Sequence, residues 1–536
     1  MEAFAALVDA IVYTRSRNGK LALIIAYLRA TPDPDRGWAL AALTGGLDFP
    51  AVKASAIRAL MMARIDPVLW QLSRDFVGDT AETASLLWPE PAEKPAPPPT
   101  VAEAVGELAA ITRSNVAQKL SELFDRLDAD GRYALIKLAT GAMRIGISAR
   151  LAKVAFAQAF GVAVELVEEF WHGQTAPYTA LFDWAARGAP PPDHGDVPLL
   201  RPFMLSHPLE GPAIDAVAAD FAAFAAEWKW DGIRVQVVHA GGDTRVFSRG
   251  GDDVTAAFPE IAAALDRPMI LDGELMVRGS HQGGAEGGAA SFNALQQRLG
   301  RKTVSAAMLR DYPAFVRLYD VLQVAEEDMR PFAWEQRRAR LEEIVPALDG
   351  ERFDLSGVIA AETLDALAEL RSRARDAAIE GVMLKRRDAP YVAGRRTGLW
   401  FKWKRDPLTV DCVLMYAQRG SGKRSSFYSD YTFGCWNGDP DAGAELLPVG
   451  KAYFGFTDEE LKWLDRHVRQ HTVARFGPVR ETDKSLVLEV AFDSVHASKR
   501  HKSGLAMRFP RISRIRADKP AHEADRIETL QAMVRD

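Results

Sequence analysis

Two proline clusters cut this chain into segments. Prolines stand at 89, 91, 95, 97, 98 and 99, and Pro190-Pro191-Pro192 forms a second group. Proline fixes φ and has no amide hydrogen, so neither cluster can lie inside a helix or a central strand. The first reads as an extended spacer. Up to Pro190 the texture is helical: Leu135, Leu138, Ala139 and Ala142 recur at helical spacing, and Ala, Leu and Glu dominate. After Pro192 short alternating segments appear at 233–237, 245–247, 269–271, 315–322 and 381–385, with Gly-Gly and Asp-Gly turns between them and a helical patch at 332–344. From Pro407 the pattern is β again, at 410–416, 431–436 and 486–492, which fits a small barrel. The expected fold is multidomain: all-α over 1–195, an α+β core over 196–405 and a β-barrel over 406–536.

Composition narrows the setting. Hydrophobic residues make up 48% and charged residues 26%, an ordinary soluble balance. No apolar run reaches the roughly 18 residues of a membrane span, and Met1-Glu2-Ala3-Phe4 does not open a signal peptide. A cytoplasmic protein with no membrane partner is expected. Cys412 and Cys435 are too few for a disulfide framework or a four-cysteine zinc site and read as core thiols. The net charge of −5 taken alone argues against a nucleic-acid partner. The local balance argues otherwise. Residues 498–519 hold eight Lys/Arg against one Asp, and Arg132, Lys137, Arg144, Arg150 and Lys153 form a second basic group. Phosphate binding depends on such clusters rather than on the sum. The glycine-rich stretch Gly279 to Gly288 reads as a loop.

The core sequence places charges inside or beside apolar strands: Lys229 in Glu227-Trp228-Lys229-Trp230-Asp231-Gly232, then Arg249, Glu274 in Asp272-Gly273-Glu274, Asp320 after Tyr319, Glu380 and Lys385, and Lys402 and Lys404. Unpartnered charge is costly in such places, so these residues need partners. Ion pairing explains one or two of them, and a chemical purpose explains the set. Lysines and arginines grip a polyphosphate, and two glutamates hold a divalent cation through hard oxygens. One lysine can serve as a nucleophile. Free lysine, with a pKa of about 10.4, is only about 0.04% neutral at pH 7. Neighbouring positive charge is expected to lower that pKa.

This ordered series resembles the covalent nucleotidyltransferases, and among them the ATP-dependent DNA ligases of the bacterial type with a helical N-terminal DNA-binding domain. Lys229-Trp230-Asp231-Gly232 is similar to their motif I, Ser248-Arg249 to motif Ia, Asp272-Gly273-Glu274 to motif III and Tyr319-Asp320 to motif IIIa. Glu380 to Lys385 is similar to motif IV, Lys402-Trp403-Lys404 to motif V and Arg508 to Lys519 to motif VI. More loosely, Asp130-Gly131-Arg132 and Leu138 to Gly146 look like the family's DNA-binding domain. The pattern departs in two places. Tyr319 stands where phenylalanine is frequent, and Gly250-Gly251-Asp252-Asp253 follows Arg249 where asparagine is frequent.

The resemblance implies a fold and a division of labour. The core would be an ATP-grasp-like nucleotidyltransferase and the tail an OB-fold barrel. Lys229 would attack the α-phosphate of ATP and carry AMP. Glu227 would read adenine and Tyr319 would stack on it, while Arg234 and Arg249 would contact ribose or phosphate. Glu274 would bind ribose or the metal, and Glu380 would ligate Mg²⁺ or Mn²⁺. Lys402 and Lys404 would neutralise the α-phosphate, and Arg508, Arg511 and Lys519 would orient the pyrophosphate. Arg132, Lys137, Arg144, Arg150 and Lys423 would contact DNA. The implied partner is nicked duplex DNA, bound by a monomer associated with the nucleoid. Replication, repair and recombination use the same chemistry, so the pathway and any protein partners are not legible here.

Other readings fit less well. Gly420-Ser421-Gly422-Lys423-Arg424 hints at a Walker A loop, but the Ser or Thr after the lysine and the earlier glycine are missing. His496 and His501 lack metal-ligand spacing partners. An RNA ligase or capping enzyme would not need the long helical region, and an NAD-dependent ligase usually carries four zinc-binding cysteines. A silent DNA-binding scaffold would not need intact motifs.

Overall fold

The computed structural model describes the chain except at residues 142, 172, 193–196, 280–287, 291, 302, 375–377, 421–427, 454, 456, 499–500 and 535–536. Ala142, Lys423 and most of the glycine-rich stretch therefore lie outside the described residues. The chain forms two compact units. One comprises Met1–Val164, Gln174–Pro190 and the chain from Pro407 onward. The other comprises Pro191–Asp406 with Glu165–Gly173.

The N-terminal region is helical, as its sequence implies. Local side chains start its helices: Ser16 accepts from the Gly19 amide, Asp79 from Ala81 and Glu82, and Thr100 forms a capping box with Glu103. The proline-rich stretch contains no helix.

Two expected DNA contacts in this region are structural instead. Arg132 is 1% exposed. Its Nε donates to the Phe124 carbonyl at 2.9 Å, its Nη2 to Leu127 O at 2.6 Å and its Nη1 to Glu90 Oε1 at 2.7 Å. These bonds tie the helix Ala129–Ala139 to the preceding turn and to the spacer, and they turn the guanidinium inward. Lys137 is buried on the same helix and donates to Asp79 Oδ2 at 2.6 Å, the same carboxylate that caps Thr80–Leu87. Arg144 and Arg150 are exposed. Arg144 has φ +41° between Gly141 at +65° and Gly146 at +74°. Below that loop the buried Lys20 ammonium donates to the carbonyls of Ile145 and Gly146, each at 3.0 Å.

The core unit holds two larger sheets and a two-stranded one pairing Met204–Leu205 with Gly394–Arg395. Its main strands are β1 (Phe224–Trp230), β2 (Ile233–Ala240), β3 (Asp243–Ser248), β4 (Met269–Val277), β5 (Ala314–Val324), β6 (Ile379–Arg386) and β7 (Trp400–Lys404). In one sheet β3, β2, β4 and β5 are successive neighbours. In the other β1 pairs β6 and β6 pairs β7, all antiparallel. Alternate residues of the first sheet (Val235, Val237, Leu271, Leu275, Val316 and Leu318) enter one apolar cluster with Phe258, Ile261 and Leu341. Helix Val164–Trp171 also serves this unit: Glu165 pairs with Arg396, and Glu169 with Arg201 and Arg330.

The C-terminal region is β-rich: β8 (Leu408–Arg419), β9 (Tyr428–Trp436), β10 (Leu446–Ala452), β11 (Thr472–Phe476), β12 (Val479–Thr482), β13 (Val487–Phe492) and β14 (Arg511–Arg516). The order β10-β9-β8-β12-β11, with β13 pairing β8 and β14, does not close into a barrel among the described residues. A helix absent from the sequence reading, Asp458–Gln470, is started by a Thr457–Glu460 capping box, and Leu464 and Val468 bury its inner face. Cys412 and Cys435 are free and buried in that core, with their Sγ atoms 3.5 Å apart.

Candidate active site

Strand register assembles the site. Lys229 on β1 lies opposite Gly381 on β6, and Gly381 lies opposite Lys404 on β7. Two residues along, Glu227, Met383 and Lys402 form the next row. Because side chains alternate across a sheet, both rows share one face. A register shift between Ile379 and Gly381 makes Glu380 the odd residue of a bulge, a device that re-aims a side chain. Its Oε2 ion-pairs with Lys229 Nζ and lies 3.7 Å from Lys404 Nζ. Gly381 is required here: its φ is +153°, and a Cβ would stand 2.3 Å from the Trp403 carbonyl.

The second sheet supplies the rest. Arg234 on β2 is paired in register with Glu274 on β4. Asp272 holds the Arg234 guanidinium with both oxygens, at 3.0 and 2.7 Å, and accepts from the Tyr391 hydroxyl at 2.7 Å. The Arg234 guanidinium lies 5.7 Å from the Tyr319 ring centroid. Arg249 follows β3, and its amide donates to the Arg234 carbonyl at 3.1 Å. Glu227 is buried and accepts from Lys385 Nζ at 2.9 Å, and the same ammonium stands 4.4 Å from the Tyr319 ring centroid. Lys385 received no role in the sequence reading, nor did Asp272, Tyr391 or Arg395. Alternation could have found Lys385, which shares a face of β6 with Gly381 and Met383.

The electrostatics differ from the expectation for the nucleophile. Burial pushes the Lys229 ammonium down, but Glu380, Glu274 and Asp231 together outweigh it and hold the amine protonated, above its ordinary value. The sequence reading anticipated positive neighbours and a lowered pKa. In the fold, carboxylates dominate the lysine's surroundings. Glu274 is pushed up to about 7, first by burial and further by Glu380 and Asp231, against the opposing pull of Lys229 and Arg234. A carboxyl made reluctant to ionise by burial gains from added positive charge. This all-oxygen set suits a hard divalent cation, Mg²⁺ or Mn²⁺. On the other flank, burial and then Arg395, Lys229, Lys404 and Arg249 push Lys402 down. Burial, Arg234 and Arg395 do the same to Arg249. Cations that repel one another on this flank suit a polyphosphate.

The tail cations belong to the other unit. Lys519 donates to Asp411 at 2.7 Å, Arg511 lies 3.6 Å from Asp493, and the Arg508 guanidinium is 5.1 Å from the Phe509 ring.

Comparison with known proteins agrees with this chemistry. The family model described as ATP dependent DNA ligase domain matches residues 203–404, and that described as ATP dependent DNA ligase C terminal region matches 424–519. A probable DNA ligase of Koribacter versatilis is 30% identical, covering 100% of this chain and 96% of its own length. One from Anaeromyxobacter sp. is 34% identical, covering 92% and 96%. The solved structure Pmar-Lig_PreS3 shares the fold across 96% of this chain and 99% of its own, at 15% identity and a TM-score of 0.57. With the core motif residues gathered at one site and relatives aligned over nearly their whole length, the chain belongs to the ATP-dependent DNA ligases.

Proposed function

We propose that this ligase runs its nucleotidyl transfer from the Lys229, Glu380 and Glu274 cluster. The observation that carries this reading is the row Lys229, Gly381 and Lys404, with Glu380 bulged out of register onto the lysine. The family's chemistry has three steps. The lysine amine displaces pyrophosphate from ATP and becomes a lysyl-AMP phosphoramidate. AMP then passes to the 5′-phosphate at a nick. The 3′-hydroxyl attacks that phosphate and releases AMP.

Here Lys229 Nζ forms the bond to the α-phosphorus as the bond to pyrophosphate breaks. Its proton must leave first, and Glu380, already paired with it, is positioned to take it. Glu274 and Glu380 would hold a divalent cation, which would supply positive charge beside the phosphate. Lys402, Lys404 and Arg249 meet the developing charge on the phosphate. Tyr319 stacks on adenine and Glu227 reads its edge, oriented by Lys385. Asp272 and Tyr391 hold Arg234 toward the ribose.

The finer architecture is part of the same proposal. We read three domains over 1–195, 196–405 and 406–536, the last of OB type. Arg508, Arg511 and Lys519 would serve the pyrophosphate, Arg511 and Lys519 once released from Asp493 and Asp411. Exposed Arg144 and Arg150, with Lys423, would contact the duplex phosphates of a nick. The working form would be a monomer at the nucleoid.

Sealing of a nicked duplex tests the function. Sealing is expected with ATP and a divalent cation, and not with NAD or GTP. Sealing driven equally well by NAD, or sealing of nicked RNA but not DNA, would contradict it.

A further inference from the structure

The C-terminal region carries a second group of metal-type donors, apart in sequence from every motif above. Helix Asp458–Gln470 ends on a pair of histidines one turn apart, His467 and His471. Backbone bonds chain the group together. The His471 amide donates to the His467 carbonyl at 2.9 Å, and the Asp483 amide donates to the His471 carbonyl at 3.0 Å. One donor atom from each of His467, His471 and Asp483 lies within 4.8 Å of the other two. The two imidazoles stack with centroids 4.1 Å apart, and the Trp463 indole stacks on His467 at 5.3 Å. Asp483 is oriented on both sides. Its Oδ2 meets His471 Nδ1 at 2.6 Å, and its Oδ1 accepts from the Ser485 amide at 3.2 Å and hydroxyl at 2.6 Å.

A helix end closed by a histidine–aspartate hydrogen bond would account for His471 and Asp483. It leaves His467 unexplained. That ring is packed into the same stack, and its Nε2 is buried without a hydrogen-bond partner. Leaving an imidazole nitrogen so is costly, and a Lewis acid removes the cost.

We propose that His467, His471 and Asp483 bind a late first-row divalent cation, zinc by their donor chemistry, which clips the end of the helix to the turn after β12. Two imidazoles and one carboxylate are a zinc set that leaves a position for water. A tetrahedral zinc with bonds of about 2.0–2.1 Å spaces its donors a little over 3 Å apart, so donors that all lie within 4.8 Å of one another reach it by side-chain adjustment. The negative end of the helix dipole adds to the attraction. The hard cation of the catalytic centre would prefer the oxygens of Glu274 and Glu380, so the two sites differ in kind.

The test is calorimetric titration of zinc chloride into the full chain in excess Mg²⁺, with a thermal melt of each sample. One zinc per chain is expected, with a raised melting temperature. The same site should persist in Glu380→Gln. Affinity should fall at least as far as the roughly 10–100-fold caused by loss of an outer-shell partner, both in His467→Gln/His471→Gln and in Asp483→Asn. Asp483 is exposed, so Asp483→Asn guards against a folding artefact in the double variant. Absence of zinc binding by the parent chain, or equal affinity in the parent and both variants, overturns the proposal.

Discussion

Arg132 of the helical region and Lys402 of the core are both cations drawn out of water, and they answer to different surroundings. Arg132 is enclosed by acceptors: two carbonyls within 2.9 Å and the Glu90 carboxylate at 2.7 Å. Burial, and then its own kind (Arg395, Lys229, Lys404 and Arg249), push the Lys402 pKa down. A saturated cation holds the fold together. A cation whose neighbours repel it has been placed for an anion that arrives later. Glu274 shows the converse, a carboxyl pushed up to about 7 in a place made for positive charge.

The contrast predicts opposite readouts for similar substitutions. The largest effect falls on Lys402. Lys402→Met should slow formation of the enzyme adenylate about 10²–10³-fold, the usual cost of one group that meets transition-state charge, with no loss of stability. Quenched-flow labelling with ATP together with urea denaturation separates the two quantities. Arg132→Met should do the reverse. It orphans several acceptors and should destabilise the first unfolding transition by about 3 kcal/mol, while adenylation proceeds at the parent rate at temperatures where the variant is folded.

A smaller effect should follow at Lys137. Burial pushes the Asp79 carboxyl up, but the Lys137 bond and charge, with the amides of Glu82 and Ala81, bring it below its ordinary 3.8. A depressed folded pKa stabilises above the unfolded value, and that stability is lost as pH falls through the folded one. Loss of this charged hydrogen bond in Lys137→Met should cost about 1.5–3 kcal/mol at pH 7, and the difference from the parent should fade only as pH drops below the ordinary 3.8 and through the depressed folded value. A difference that persisted unchanged in acid would place the stabilisation in packing of the lysine stem rather than in the ion pair.

The same contrast explains what the sequence revealed and what it hid. The core strands were legible because charges interrupt an alternating pattern, and register then stacked Lys229, Lys402 and Lys404 on one face. The partner of Lys229 was legible as a motif residue, but its effect was not. The bulge that turns Glu380 onto the amine is a property of paired strands, and it reverses the sign expected for the lysine. Arg132 misled because an arginine on a helix looks the same whether it faces solvent or a carbonyl. Its acceptors come from a turn and a spacer that only the fold brings close. Helix Asp458–Gln470 was missed within a stretch read as β, though Thr457 with Glu460 and the spacing of Leu461, Leu464 and Val468 were available signals. His467 and His471 went unremarked with it, because their significance depends on the helix.

The most direct measurement is mapping of the covalent adenylate. The chain is incubated with ATP carrying a radioactive α-phosphate, digested, and the labelled peptide identified alongside a Lys229→Ala variant. The account predicts an acid-labile, single-site label on the peptide containing Lys229, and none on the variant. Undiminished label in Lys229→Ala, or AMP on a different lysine in the parent chain, would contradict it.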